Sequence, residues 1–220
     1  MITRVWLLVV SSWCLYSYTE VDQKTTKWLW QPTLCESIFK RHIRSLAHTR
    51  IEHKPLVVCF SGVPGMGKTH VAKIIEQTYQ AVRVSADDIR AIIGTITNGQ
   101  TTQFLTQVYI LYFFLSYTAP NKFIVLDMSI DRNYRLLFPY LKLRGIPYVV
   151  VRINTPYEQV VACLTQREKA NHGTYIQFLP SWYADYDAFG ACCEVTTVLN
   201  NDMRVPIDLT ALVACIKSYL

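Results

Sequence analysis

The sequence predicts an α/β fold: a mostly parallel five-stranded sheet with helices on both faces. Three observations predict it. Apolar, β-branched runs recur at 56–60, 81–85, 123–127, 148–153 and 195–199. Stretches of helical period lie between them near 102–117, 132–143 and 156–167, and a last one follows at 209–219. Strands that read as continuous apolar runs between helices belong to sheets covered on both sides, and such sheets are mainly parallel. Finally, the first run leads into a glycine-rich turn that opens a helix.

That turn carries the most chemistry. After Leu56-Val57-Val58-Cys59-Phe60, the residues Gly62-Val63-Pro64-Gly65-Met66-Gly67-Lys68-Thr69 match the spacing G-x-x-x-x-G-K-[ST] of a nucleotide phosphate loop. From His70 the pattern turns helical, with Val71, Ile74 and Ile75 on one face. Glycines allow backbone N–H groups to curl around a phosphate without Cβ clashes. The helix that follows aims its N-terminal donors at the same anion. Lys68 is placed to reach β- and γ-phosphates, and the Thr69 hydroxyl to ligate Mg²⁺. The expected ligands are therefore ATP, held by residues 62–69, and Mg²⁺.

The 220 residues fit an N-terminal extension over 1–54 and one domain over 55–220. Seven scattered cysteines without a C-x-x-C spacing read as reduced thiols of a cytoplasmic protein rather than a disulfide framework or zinc site. Of the net charge of +6, residues 1–54 hold +4, so residues 55–220 lack the basic footprint that long nucleic acid demands. Residues 1–18 are apolar and follow the pattern of a short signal core without its cleavage site. They are too short and too rich in Ser and Tyr for a span, and a weak membrane attachment through them stays open. Residues 36–48 read as an amphipathic helix with a basic outer face, and 104–115 as a buried helix.

The second run continues into Ser85-Ala86-Asp87-Asp88-Ile89-Arg90. In open α/β sheets ligands sit beyond the carboxyl ends of strands, so this segment faces the phosphate loop across one crevice. A carboxylate there can take the proton of an attacking hydroxyl, and an arginine one turn on can hold a substrate anion. An aspartate serving only as helix N-cap is the competing account. The third run ends in Asp127, an acid placed to help hold Mg²⁺. Arg132 and Arg135 follow it, and Arg167 lies near the end of the helix that starts after Thr155-Pro156.

In this order the motifs resemble the P-loop kinases related to the 5′-kinase domain of polynucleotide kinase and to zeta-toxin-like small-molecule kinases, an AAA-type ATP-binding domain. The resemblance covers about residues 55–220. It implies that Asp87 is the general base, Arg90 the contact to the substrate anion, and Arg167 the lid arginine, in a lid around 165–190. The sequence departs from the pattern in three places. Cys163 stands where a second lid arginine is found, Asp127 is followed by Met128-Ser129, and residues 166–190 carry a net charge of −1 with an aromatic run at 178–186. The acidic lid and Cys163 favour a small-molecule or nucleotide acceptor over a polyanionic strand. The reading is a phosphotransferase that moves the γ-phosphoryl of ATP to an acceptor hydroxyl. An ATPase, or a nucleotide-responsive binding protein, are the alternatives, and neither needs a base at Asp87.

Overall fold

The computed structural model describes residues 54–96, 123–171 and 174–220. The N-terminal extension, its amphipathic helix and the apolar helix expected near 102–117 lie outside the described residues. In chain order the elements are β1 (Leu56–Ser61), α1 (Lys68–Tyr79), β2 (Val82–Ser85), α2 (Ala86–Ile96), β3 (Phe123–Ser129), α3 (Tyr134–Leu143), β4 (Tyr148–Asn154), α4 (Tyr157–Asn171), a 3₁₀ turn (Ile176–Phe178), α5 (Leu179–Cys192), β5 (Thr197–Asn200) and α6 (Thr210–Tyr219).

The five strands form one sheet in the order β2-β3-β1-β4-β5, and every neighbouring pair is parallel. This is the predicted α/β architecture, with strand bounds within about two residues of those expected. The chain leaves central β1 toward β2, whereas from β3 it crosses back over β1 to β4. Connections that diverge in this way leave a crevice at the carboxyl ends of the strands, where the loop after β1 sits.

Period-two alternation divides the strand residues between two cores. Val57, Cys59, Ile124, Leu126 and Val150 face α2, α3 and the end of α5. Val58, Phe60, Val125, Val149 and Val151 face α1, α4, the start of α5, and α6. On this alternation Asp127 shares the face of Phe123 and Val125, the face on which α1 packs. The β1–β3 register then slips: Cys59 pairs with Leu126, but Phe60 pairs with Ser129. Asp127 and Met128 are left out of the pairing with β1, the kind of bulge that re-aims a side chain beside a site.

The aromatic and acidic segment after Phe178 is a 14-residue helix, α5. It buries Leu179, Tyr186 and Phe189. The Tyr186 hydroxyl donates to the Ile153 carbonyl at 3.2 Å, and the Arg152 guanidinium lies 3.6 Å from the centre of its ring. Gly190 leaves room for that arrangement: a Cβ there would stand 1.7 Å from Arg152 Nη1, and the guanidinium would have to shift.

Candidate active site

The loop between β1 and α1 has the conformation its glycines permit. Gly65 and Gly67 have φ of 93° and 94°, values that an L side chain rarely adopts. Gly67 is also closely approached, since a Cβ there would lie 2.6 Å from Asn201 Nδ2. The loop is staked from behind. The Met66 carbonyl accepts hydrogen bonds from Asn201 Nδ2 at 2.9 Å and Thr155 Oγ1 at 3.2 Å, so the ends of β5 and β4 both hold it. On its other side, the Gly62 N–H donates to Asp131 Oδ2 at 3.0 Å.

α1 begins at Lys68 and has no acidic residue of its own in its first turn, so the carboxylates near its positive end come from other elements. Lys68 Nζ donates to the carbonyls of Gly62 (2.7 Å) and Val63 (2.8 Å). Burial pushes its pKa down to about 8. The negative charges of Asp131, Asp127 and Asp87 pull it upward, and Arg167 adds to the depression. All four charged groups therefore lie within electrostatic reach of the Lys68 ammonium. Three of them, Asp127, Asp87 and Arg167, are residues that the sequence singled out.

The Thr69 hydroxyl donates to Asp127 Oδ1 at 2.9 Å, joining the end of the phosphate loop to the end of β3. Asp127 is buried, and its other oxygen accepts from Arg83 Nη1 at 2.6 Å. Arg83 also reaches Glu76 Oε2 (3.0 Å) and Asp88 Oδ2 (2.8 Å), so one guanidinium ties α1, α2 and β3 together. Burial works against its charge, but the hydrogen bond to Asp127 and the three carboxylate charges outweigh that and hold its pKa above the ordinary value. Thr69 Oγ1 and Asp127 Oδ1 fit Mg²⁺ in donor type. This ion takes hard oxygen ligands, needs few from the protein, and draws the rest from phosphate and water.

The residues at the start of α2 and on α4 are differently placed. Ser85 Oγ accepts the N–H of Asp88 at 3.2 Å, so Ser85 caps α2 and neither aspartate is needed for that. Asp87 is 78% exposed and pairs with Arg90, itself 48% exposed. Asp88 is turned the other way, onto Arg83. Arg167 is exposed on α4, with Cys163 one turn before it. Arg132 pairs with Asp185 of α5, and Arg135 lies over the Tyr134 ring.

Sequence reasoning missed Arg83 and Asp131. A charged residue between Val82 and Val84 in a buried four-residue strand was a signal for the first. Asp131 is only 6% exposed; its Oδ2 also accepts from Ser129 Oγ at 2.8 Å, and its Oδ1 finds no hydrogen-bond partner among the described residues. Its position four residues beyond Asp127 was visible, but its partner Gly62 lies 69 residues away.

No protein-family model matches the chain, and no curated protein matches it in sequence. Solved structures do match its fold. A structure from the PezAT chromosomal toxin–antitoxin system of Streptococcus pneumoniae aligns with a TM-score of 0.59 and 12% identity, covering 87% of this chain and 88% of that one. A proposed kinase from Chloroflexus aurantiacus aligns with a TM-score of 0.55 and 13% identity, over 76% and 100%. A gluconokinase from Sinorhizobium meliloti aligns with a TM-score of 0.51 and 18% identity, over 77% and 95%. The chain has the P-loop kinase fold. Among the described residues no helix is long and apolar enough to cross a membrane.

Proposed function

We propose that this chain is an ATP- and Mg²⁺-dependent phosphotransferase that moves the γ-phosphoryl of ATP to a hydroxyl of a small-molecule or nucleotide acceptor. The observation that carries the reading is the junction of Lys68, Thr69 and Asp127 at the mouth of a staked glycine loop. Phosphoryl transfer relies mostly on positioning and on charge stabilisation, and those groups supply both. The phosphates lie in the cradle of residues 62–69, with Gly65, Gly67, Lys68 and Thr69 offering backbone N–H groups, since Pro64 has none and the Gly62 N–H is held by Asp131. Lys68 transfers its hydrogen bonds from the Gly62 and Val63 carbonyls to the phosphate oxygens. Thr69 and Asp127 would hold Mg²⁺, which would neutralise charge on the phosphates when bound.

On the acceptor side, Asp87 takes the hydroxyl proton and Arg90 holds an anionic part of the acceptor. Their ion pair gives each a partner until the acceptor arrives. In this reading Arg167, whose charge reaches Lys68, acts on the transferred group from a lid around 165–190. The gluconokinase among the fold neighbours is a precedent for a small hydroxylic acceptor on this fold.

The test is incubation with γ-labelled ATP and a panel of nucleosides, oligonucleotides, sugars and antibiotics, for the native chain and for Lys68→Ala. The native chain should label one acceptor class, and Lys68→Ala should lose orders of magnitude of that turnover with its fold intact. Equal turnover by a folded Lys68→Ala protein overturns the reading. Oligonucleotide binding with a log–log salt slope steeper than about −4 would move the acceptor to long nucleic acid.

A further inference from the structure

Two adjacent thiols lie outside everything that phosphoryl transfer uses. α5 ends at Cys192, and Cys193 follows in extended backbone, with φ of −122° and ψ of 142°. The change from helix to extended chain swings both side chains together, so that their Sγ atoms stand 3.4 Å apart. Both are free thiols; Cys192 is exposed and Cys193 partly so. The Tyr134 hydroxyl lies 3.1 Å from Cys192 Sγ.

This environment separates the two groups chemically. Hydrogen bonds with Tyr134 and Cys193, together with the charge of Arg135, hold the Cys192 thiol below its usual range. Burial and the neighbouring Cys192 push Cys193 up to about 11. The first proton therefore leaves from Cys192, which is the nucleophile of the pair.

Geometry disfavours a disulfide between them. A trans peptide sets adjacent Cα atoms 3.8 Å apart, whereas disulfides span about 4.4–6.8 Å. Bridging through one intervening atom is not limited in this way. Two sulfurs at about 2.3 Å from one pyramidal centre, with an angle of about 95° between the bonds, stand about 3.4 Å apart, the separation already present.

We propose that Cys192 and Cys193 form a two-thiol chelating site for a soft, thiophilic centre with two replaceable bonds, the class represented by trivalent organoarsenicals. With an arylarsine oxide, Cys192 Sγ attacks arsenic first and Cys193 Sγ closes the ring. Two As–S bonds replace the two bonds to oxygen, and the oxygen leaves as water with the two thiol protons. Arsenic remains trivalent, and no electron is transferred. Soft thiolate ligands favour such centres, and the second bond makes release intramolecularly reversible and therefore slow to complete.

The full chain is treated with phenylarsine oxide and then challenged with excess 2-mercaptoethanol or dithiothreitol, with intact mass and peptide mapping as readouts. One adduct should form on the peptide holding residues 192 and 193, survive the monothiol, and be stripped by the dithiol. Cys192→Ser and Cys193→Ser, each shown to be folded by its melting curve, should each lose the monothiol-resistant adduct. An adduct that the monothiol removes, that maps to other cysteines, or that persists in either folded variant overturns the proposal.

Discussion

The two sides of the crevice are built differently. Around the phosphate loop several polar atoms have long-range partners: Met66 O is held by Thr155 and Asn201, Gly62 N–H by Asp131, Thr69 by Asp127, and Asp127 by Arg83. On the acceptor side Asp87 and Arg90 are bonded to each other one helical turn apart, on an exposed face. A preorganised electrostatic site needs no rearrangement when charge develops, which suits the phosphate groups common to every turnover. An exposed, locally paired couple contributes little to the fold and can be recruited by the acceptor. The contrast implies a division of labour: substitutions on the donor side should cost stability as well as function, whereas those on the acceptor side should cost function alone.

The sharpest use of that contrast is Asp87→Asn. It preserves shape but cannot take a proton, so phosphoryl transfer should fall by roughly 10²- to 10⁴-fold. ATP affinity and melting temperature should stay where they are. The companion Asp88→Asn should cost much less turnover but more stability, because Asp88 is bound by Arg83. If Asp88→Asn is the crippling change in a labelled-ATP assay, the base is assigned one residue too early.

Arg83→Met comes next in size. It leaves Asp127 buried with an uncompensated carboxylate oxygen, which should cost about 3 kcal/mol. For a chain of this length that lowers the melting temperature by roughly 10 °C. A melting temperature within a degree or two of the native value would break the donor-side half of the comparison.

Asp131→Ala removes the acceptor of a buried N–H, a loss of roughly 1–3 kcal/mol. Calorimetric titration should show nucleotide binding about tenfold or more weaker as the loop loses that anchor. Unchanged affinity would reduce Asp131 to a packing residue.

The smallest stability effect belongs to Arg90→Ala. An exposed i,i+3 pair contributes within about 0.5 kcal/mol, so the melting curve should not move measurably. The KM for an anionic acceptor should rise, with kcat nearly unchanged, since the arginine's contact is kept in ground and transition states alike.

Much of the molecule was legible because its determinants are local. The spacing of Gly62, Gly67, Lys68 and Thr69, the apolar runs of the five strands, and Asp127 at the end of one of them are patterns within a dozen residues. The helix α5 was legible too, since Leu179, Tyr186 and Phe189 recur at helical spacing. Its aromatic and acidic run lies in the segment around 165–190 that the resemblance assigns to a lid, and a helix there is compatible with that assignment.

What only the tertiary structure decided are the contacts that hold the site. Asn201 reaches the Met66 carbonyl across 135 residues, Thr155 across 89, and Asp131 reaches Gly62 across 69. These pairings follow from parallel strand order and from the register slip at Asp127, which place the carboxyl ends of β1, β3, β4 and β5 around one loop. The sequence alone determined which residues could carry the chemistry, because backbone freedom, charge and period are properties of residues and their near neighbours. Strand order and burial decided which of those residues have partners. A hydrogen bond depends on the distance between atoms in space, and one-dimensional spacing does not contain it.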